Sequence, residues 1–151
     1  MIGDVRLLGL SKSARYALQG LIHLASRQGD GRVLVENAAR ALDLPPSFLA
    51  KLFQRMARKG LLASHRGPRG GYVLARAPEL ITLADVVSAT QEPMGGRREC
   101  LLESGGCAGD GFCAIHEDVV AAERRINDAL SRITLAAAVR SGSLTGGEHA
   151  A

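Results

Sequence analysis

The sequence contains no tryptophan, and all aromatic residues together make up only 3% of its 151 positions. Hydrophobic residues still account for 46%, so leucine, alanine, valine and isoleucine must build the core, and this composition favours helices. No apolar run approaches the roughly 20 residues needed to cross a bilayer, and the first residues lack the hydrophobic stretch of a signal peptide. Cysteine is limited to three residues, an odd number that argues against the disulfide framework of a small secreted protein. We therefore expect a cytoplasmic domain with reduced thiols and no membrane partner.

Acidic residues are absent from residues 44–78, although the whole chain carries 15 of them. The same window holds seven cations and one histidine, namely Lys51, Arg55, Arg58, Lys59, Arg66, Arg69, Arg76 and His65. An ordinary solvated surface mixes both signs of charge, so a block of one sign indicates a polyanionic partner. A basic, solvated face without a partner is the alternative, and the shape of the segment decides between the two.

Three helices are predicted in the first 60 residues. The first follows Ser11 or Ser13 as its N-cap, and the second covers residues 35–43. The third runs from Pro46 to Gly60; its buried stripe is Phe48, Leu49, Leu52, Phe53 and Met56, and its opposite face carries Ser47, Lys51, Arg55, Arg58 and Lys59. Two helices joined by a tight turn, the second with a cationic face, indicate a helix-turn-helix.

A glycine-rich hairpin follows the third helix. Residues 61–65 and 72–75 are strand candidates around the tip RGPRGG, whose glycines and proline are typical of a turn. A slim basic hairpin after a helix-turn-helix is typical of a wing that enters the minor groove of DNA. The spacing does not fit a phosphate-binding loop, and no helix follows directly. The predicted contacts to double-stranded DNA are Ser47, Phe48, Lys51, Arg55, Arg58, Lys59, His65, Arg66, Gly67, Arg69, Gly70, Gly71 and Tyr72.

The C-terminal third contains the longest predicted helix, which runs from about His116 to Ile133 and is followed by one more short turn over residues 134–139. Its apolar residues recur with a heptad-like spacing at Val119, Ala122, Ile126, Leu130 and Ile133. Such a seam either packs on its own domain or pairs two chains. Pairing is favoured because helix-turn-helix proteins usually bind two half-sites as dimers, which implies a homodimer on a palindromic operator.

The predicted fold class is mainly α with a small β-hairpin. A winged helix-turn-helix domain covers residues 10–90, and a dimerisation helix covers residues 116–139. An N-terminal extension (1–9), a cysteine-rich loop (91–115) and a disordered tail (140–151) complete the chain.

All three cysteines fall in the loop, in the pattern Cys100-x6-Cys107-x5-Cys113-x2-His116. Thiolates with one imidazole select zinc or an iron–sulfur cluster. Structural zinc sites usually bring their ligands in tight pairs, so the wide spacing favours a cluster, for which mixed thiolate and histidine ligation is known. An inert loop is the alternative, as is a thiol enzyme using Cys113 and His116; the sequence shows no second catalytic group for such an enzyme.

Together these motifs resemble the Rrf2 family of winged-helix transcriptional regulators. The resemblance rests on LSKSARYALQGLIHLA, RGPRGGY, the three cysteines with their histidine, and SRITLAAAV, and it covers about Leu10 to Val139. It implies a bacterial homodimer that crosses its C-terminal helices, not an enzyme. It also implies a regulator that senses iron, redox or nitric-oxide status.

The ligand pattern is similar to the IscR branch of that family, which implies a [2Fe-2S] cluster on Cys100, Cys107, Cys113 and His116. Other branches recruit ligands from the first helix, at positions that here look like Arg15 and Gln19. A [4Fe-4S] cluster and a zinc ion are the alternatives. With zinc, the protein would be a metal-stabilised DNA-binding module without a sensing role.

Overall fold

The computed structural model describes residues 10–90 and 114–142. Its elements, in chain order, are α1 (Lys12–Ser26), α2 (Val35–Leu42), α3 (Pro46–Arg58), β1 (Leu62–His65), β2 (Gly71–Leu74), α4 (Leu83–Thr90), α5 (His116–Arg132) and α6 (Leu135–Ser141). The strands form one antiparallel hairpin, so the predicted mainly helical fold with a small hairpin is confirmed. None of the described helices is long and apolar enough to cross a membrane. The predicted N-terminal extension, the three cysteines and residues 143–151 of the predicted tail lie outside the described residues.

Side-chain caps fix the starts of α1 and α4, and for α1 the cap is one of the two predicted serines. The Ser11 hydroxyl accepts a hydrogen bond from the Ala14 backbone N–H at 3.1 Å, which caps α1. At the start of α4, the Asp85 N–H donates to Thr82 Oγ1 at 3.1 Å and the Thr82 N–H donates to Asp85 Oδ2 at 2.9 Å. This reciprocal pair is a capping box with aspartate in place of glutamate.

The turn between α2 and α3 depends on Asp43, whose φ of 52° and ψ of 47° lie in the left-handed region. The chain reverses there, and the Leu44 N–H donates to the Ala39 carbonyl at 2.9 Å, as in helix ends closed by a left-handed residue. Pro46 then occupies the first turn of α3, where a missing N–H leaves no bond unmade. This short turn sets the direction of α3 relative to α2.

The buried side of α3 packs closely on α1. A β-carbon at Gly20 would lie 2.6 Å from the Phe53 ring and 3.3 Å from Leu49, so only glycine permits this approach. Phe53 is 0% exposed, and its ring meets that of Tyr72 edge to face at 5.2 Å. Four members of the predicted stripe are buried, namely Leu49, Leu52, Phe53 and Met56.

The segment predicted as the dimerisation helix, residues 116–139, contains two helices, and the first of them ends next to the predicted end at Ile133. α5 ends at Arg132, and Thr134 adopts an extended conformation (φ −90°, ψ 163°). Its hydroxyl accepts from the Ala137 N–H at 3.1 Å and so caps α6. The break coincides with backbone bonds to the start of α4, where the Leu83 N–H donates to the Ile133 carbonyl at 2.8 Å.

α6 completes the core against α1. Leu135, Ala136 and Ala138 are buried there, so this part of the predicted dimerisation helix belongs to the globular domain. The helix continues through Arg140 to Ser141, which extends ordered structure two residues into the segment predicted to be a disordered tail.

Candidate nucleic-acid interface and metal-ligand segment

The outer face of α3 carries a stripe of exposed side chains. Ser47, Lys51, Gln54 and Arg58 are all exposed, and their spacing of four, three and four residues places them on one side of the helix. Gln54 is not among the predicted DNA contacts, because that prediction followed charge. Its spacing from Lys51 is the signal that would have found it, and an amide at such a position can pair with adenine.

The N-terminal end of α3 is anchored to α1 by an aromatic pair. The rings of Phe48 and Tyr16 meet edge to face with centroids 5.6 Å apart, and Lys12 Nζ lies 5.6 Å from the centre of the Tyr16 ring. Phe48 is half-buried in this contact. Phe48 therefore packs on Tyr16. This contact fixes the N-terminal end of α3, which is the end that contacts bases in a recognition helix.

Arg55 is one of the predicted DNA contacts, but in the structure its side chain binds another helix of the same chain. It is half-buried, and its Nη1 donates a hydrogen bond of 2.8 Å to the backbone carbonyl of Thr90. Thr90 is the last residue of α4 and is 6% exposed. Lys59, the C-cap residue of α3, is exposed.

The hairpin presents its predicted cations to solvent. His65, Arg66, Gly67 and Arg69 are exposed, and the strands pair in a register that sets His65 opposite Gly71. The tip is closed by the Gly70 N–H, which donates to the Gly67 carbonyl at 2.8 Å. The structure thus brings the predicted wing residues together on one exposed loop beside α3.

A third backbone segment, which the sequence pattern does not predict, joins the hairpin. Val33 and Tyr72 exchange two backbone hydrogen bonds of 3.0 and 2.9 Å, and Arg32 Nη1 donates to the Arg69 carbonyl at 3.1 Å. A single bridging residue has no periodicity to detect, so local pattern could not reveal it. Arg32 therefore adds a cation to the wing from outside the acid-free window.

Gly70, Gly71 and Tyr72 shape the wing. A β-carbon at Gly70 would lie 2.6 Å from the His65 carbonyl oxygen. At Gly71, φ is +131° and a β-carbon would lie 2.8 Å from the Val33 carbonyl oxygen. Since the Tyr72 ring packs on Phe53, these three residues determine where the wing arginines stand relative to α3.

The predicted dimerisation seam is uncovered in the single chain. None of the residues of α5 is buried, and Ile126 and Ile133 are 37% and 40% exposed. Val119, Ala122 and Leu130 are half-exposed, and Leu130 contacts the core at the base of the helix. A helix of 17 residues is about 25 Å long, so α5 offers an extended apolar strip.

Of the predicted metal ligands, the structure describes His116 alone, because Cys100, Cys107 and Cys113 lie outside the described residues. His116 is the first residue of α5 and is half-buried. Within residues 10–90 and 114–142, no group of three or more histidine, cysteine or acidic side chains is assembled for a metal ion. The donor set of three thiols and one imidazole nevertheless suits an iron–sulfur cluster by its chemistry.

A shallow cleft between α1 and α6 contains Gln19, His23 and Val139. Burial lowers the pKa of His23 below its usual 6.5, and the neighbouring Arg27 cation lowers it further. Gln19 Oε1 is buried and has no hydrogen-bond partner among the described atoms. The side chain of Gln19 therefore faces α6 of its own chain, whereas Arg15 is exposed.

Comparisons with known proteins agree with this architecture. Residues 10–141 match a family model described as "Rrf2: Iron-dependent Transcriptional regulator". The chain is 33% identical over 127 residues to the HTH-type transcriptional regulators IscR of Erwinia tasmaniensis and Yersinia pestis, covering 84% of this chain and 76% of each relative. The sequence-based resemblance to this family is thereby confirmed.

Two solved structures show the same fold. CymR, the global cysteine regulator of B. subtilis, is similar with a TM-score of 0.74 and 26% identity, over 89% of this chain and 98% of that chain. IscR of T. potens is similar with a TM-score of 0.73 over 93% of both chains. Its identity of 24% makes this a likeness of fold.

We predict that Gly71→Ala weakens DNA binding although it removes no charge. The new β-carbon would contact the Val33 carbonyl in a left-handed backbone, and strain of about 1–3 kcal/mol would separate the wing from the Val33 segment. Binding to random-sequence duplex DNA, with amide hydrogen exchange at Val33 and Tyr72, measures both effects. Ser64→Ala, an exposed change on the facing strand, is the control. Unchanged affinity with protected amides in Gly71→Ala would contradict the assigned role.

Proposed function

The chain belongs to the Rrf2 family of transcriptional regulators, and from this we propose a homodimeric DNA-binding sensor that holds a [2Fe-2S] cluster on Cys100, Cys107, Cys113 and His116. The chain is a regulator and not an enzyme. The observation that carries the proposal is the joint basic surface of α3 and the wing, fixed by the contact between Phe53 and Tyr72. The signal is iron, redox or nitric-oxide status, and the expected location is the cytoplasm.

In this proposal α3 enters the major groove of double-stranded DNA and the wing enters the adjacent minor groove. Ser47, Lys51 and Gln54 lie on the exposed N-terminal part of the stripe, where side chains reach base edges. Arg58 and Lys59, one turn further, contact phosphates and set the register. The wing arginines occupy the minor groove, whose narrow form attracts guanidinium groups.

The dimer is formed by α5. Its exposed apolar strip needs a partner, and a second copy offers the same strip in self-complementary form. Two copies joined in this way present two α3 helices, so the expected operator is palindromic. Because α6 packs on α1 in the same chain, the pairing surface is α5 alone.

The cysteine segment supplies the sensing part. When bound, a cluster provides an iron centre whose redox state or loss follows cellular conditions. The chain's own contribution is to close residues 100–116 into one ligand set, with His116 at the N-terminus of α5. Arg15, an exposed cation, cannot serve as the extra ligand that other branches take from the first helix, which favours the [2Fe-2S] form over [4Fe-4S].

The wing proposal predicts a change in salt dependence. Arg66→Ala and Arg69→Ala should each lower the slope of log affinity against log salt by about one, because each removes one neutralised phosphate. Fluorescence anisotropy on duplex DNA at several salt concentrations gives the slope. Arg124→Ala, an exposed change on α5, should leave it unaltered. Wild-type slopes in both wing variants would exclude the wing from the interface.

The α5 pairing predicts that Ile126→Glu shifts the protein to monomer, because a charge would be buried in the apolar seam. Sedimentation equilibrium measures the association directly. Asn127→Glu adds the same charge at the neighbouring exposed position and should remain dimeric. If Ile126→Glu and Asn127→Glu associate equally well, the α5 seam is not the dimer interface.

The cluster is tested by an anaerobic absorption spectrum of the freshly purified protein with iron and sulfide determination. We expect visible bands, with iron and sulfide each at about two per chain, and loss of both in Cys107→Ala. Apo and holo forms should then differ in affinity for DNA selected by the protein. A colourless protein with stoichiometric zinc would instead show a metal-stabilised DNA-binding module. Equal affinity of the two forms would remove the sensing role.

A further inference from the structure

We infer that Arg55 couples the cysteine segment to the recognition helix, and that it acts as a positioning residue and not as a reader of bases. The inference rests on the proposed function and names the link through which the regulation of DNA binding passes. Its basis is the 2.8 Å hydrogen bond from Arg55 Nη1 on α3 to the Thr90 carbonyl at the end of α4.

The Thr90 carbonyl is an acceptor of a particular kind. The last carbonyls of a helix have no partner within the helix and lie at the negative end of its dipole, where a cation is favoured. The Thr90 hydroxyl donates to the Val87 carbonyl at 2.7 Å, so the residue itself is held within the last turn. The guanidinium of Arg55 therefore closes the end of α4 with a charge-assisted bond.

Thr90 lies directly before the cysteine segment, so its bond to Arg55 connects that end of α4 with α3. Residue 91 begins the segment that carries every cysteine, and His116, the proposed fourth ligand, begins α5. The other end of α4 is bonded to the junction of α5 and α6 through the Leu83 N–H. α4 is thus tied to α5 at its start and to α3 at its end. In the proposed function, a cluster held partly by His116 acts on the start of α5, and α5 contacts α4. Arg55 then links α4 to α3 through its bond to the Thr90 carbonyl.

Arg55 lies at the edge of the exposed stripe on α3 and not within it. The stripe follows Ser47, Lys51, Gln54 and Arg58, whereas Arg55 is half-buried on the side of α4. Arg58, on the same helix and with the same side chain, is exposed and is the matched control. Loss of Arg58 should weaken DNA binding, while loss of Arg55 should remove the difference between the two metal states.

The experiment compares apo and anaerobically reconstituted holo protein, as full-length dimers, on one duplex that the wild type selects from a random library. The quantity measured is the ratio of the two Kd values. Coupling between sites typically amounts to about 5- to 150-fold. We expect Arg55→Gln to bring the ratio within about twofold of one, and Arg58→Gln to weaken both forms while retaining the wild-type ratio.

Arg55→Lys keeps the test decisive if Arg55→Gln does not fold. Lysine retains the charge but lacks the planar fork of guanidinium, so this variant should also bring the ratio of the two Kd values closer to one. Circular dichroism checks that it folds. Thr90→Val keeps the backbone carbonyl and should retain the ratio. If the wild-type forms differ and the Arg55 variants differ equally, this inference alone fails. If the wild-type forms bind alike, the proposed function fails and the inference with it.

Discussion

The placement of Phe53 is the constraint on which the surface proposed to face DNA depends. Its ring fills the space left by Gly20 on α1 and meets Tyr72 of the wing, so one buried side chain sets the positions of three elements. The chain has five aromatic residues, and four of them form the two ring pairs that flank α3. Each such pair contributes about 0.5–1.5 kcal/mol beyond the area it buries. In a chain with few aromatic residues, most of those present pack α3 against α1 and the wing.

Local features of the fold follow closely from the sequence. The caps at Ser11 and Thr82 and the buried stripe of α3 depend on side chains within four residues of each other, so spacing alone reveals them. The hairpin is equally accessible, because its glycines stand where the backbone needs a left-handed residue or a close approach, as at Gly71. Two of the motifs that carry the family resemblance, LSKSARYALQGLIHLA and RGPRGGY, lie in these local elements, so the resemblance is visible in the amino-acid sequence itself.

Features that join distant residues could not be predicted in this way. Val33 pairs with Tyr72, and Arg55 bonds to Thr90 35 residues away. The sequence indicates that the long helix ends near Ile133, but it does not reveal that the backbone there pairs with the start of α4. The sequence predicts that Arg55 reaches base edges because its charge fits the basic window, and the window gives no information about the helix that lies beside it.

The same distant contacts explain how the proposed sensor would act without altering the residues proposed to contact DNA. The exposed cations of α3 and the wing lie on elements that the Phe53 contacts join. In the proposed dimer, the spacing between two copies of this surface is set by α5, whose strip is uncovered in the single chain. α4 contacts both α3 and α5, so it is the element through which a change near α5 reaches α3. Since a dimer binds two half-sites only at a matching separation, a small shift of α4 in the proposed dimer would change affinity while the side chains proposed to contact bases keep their local conformation.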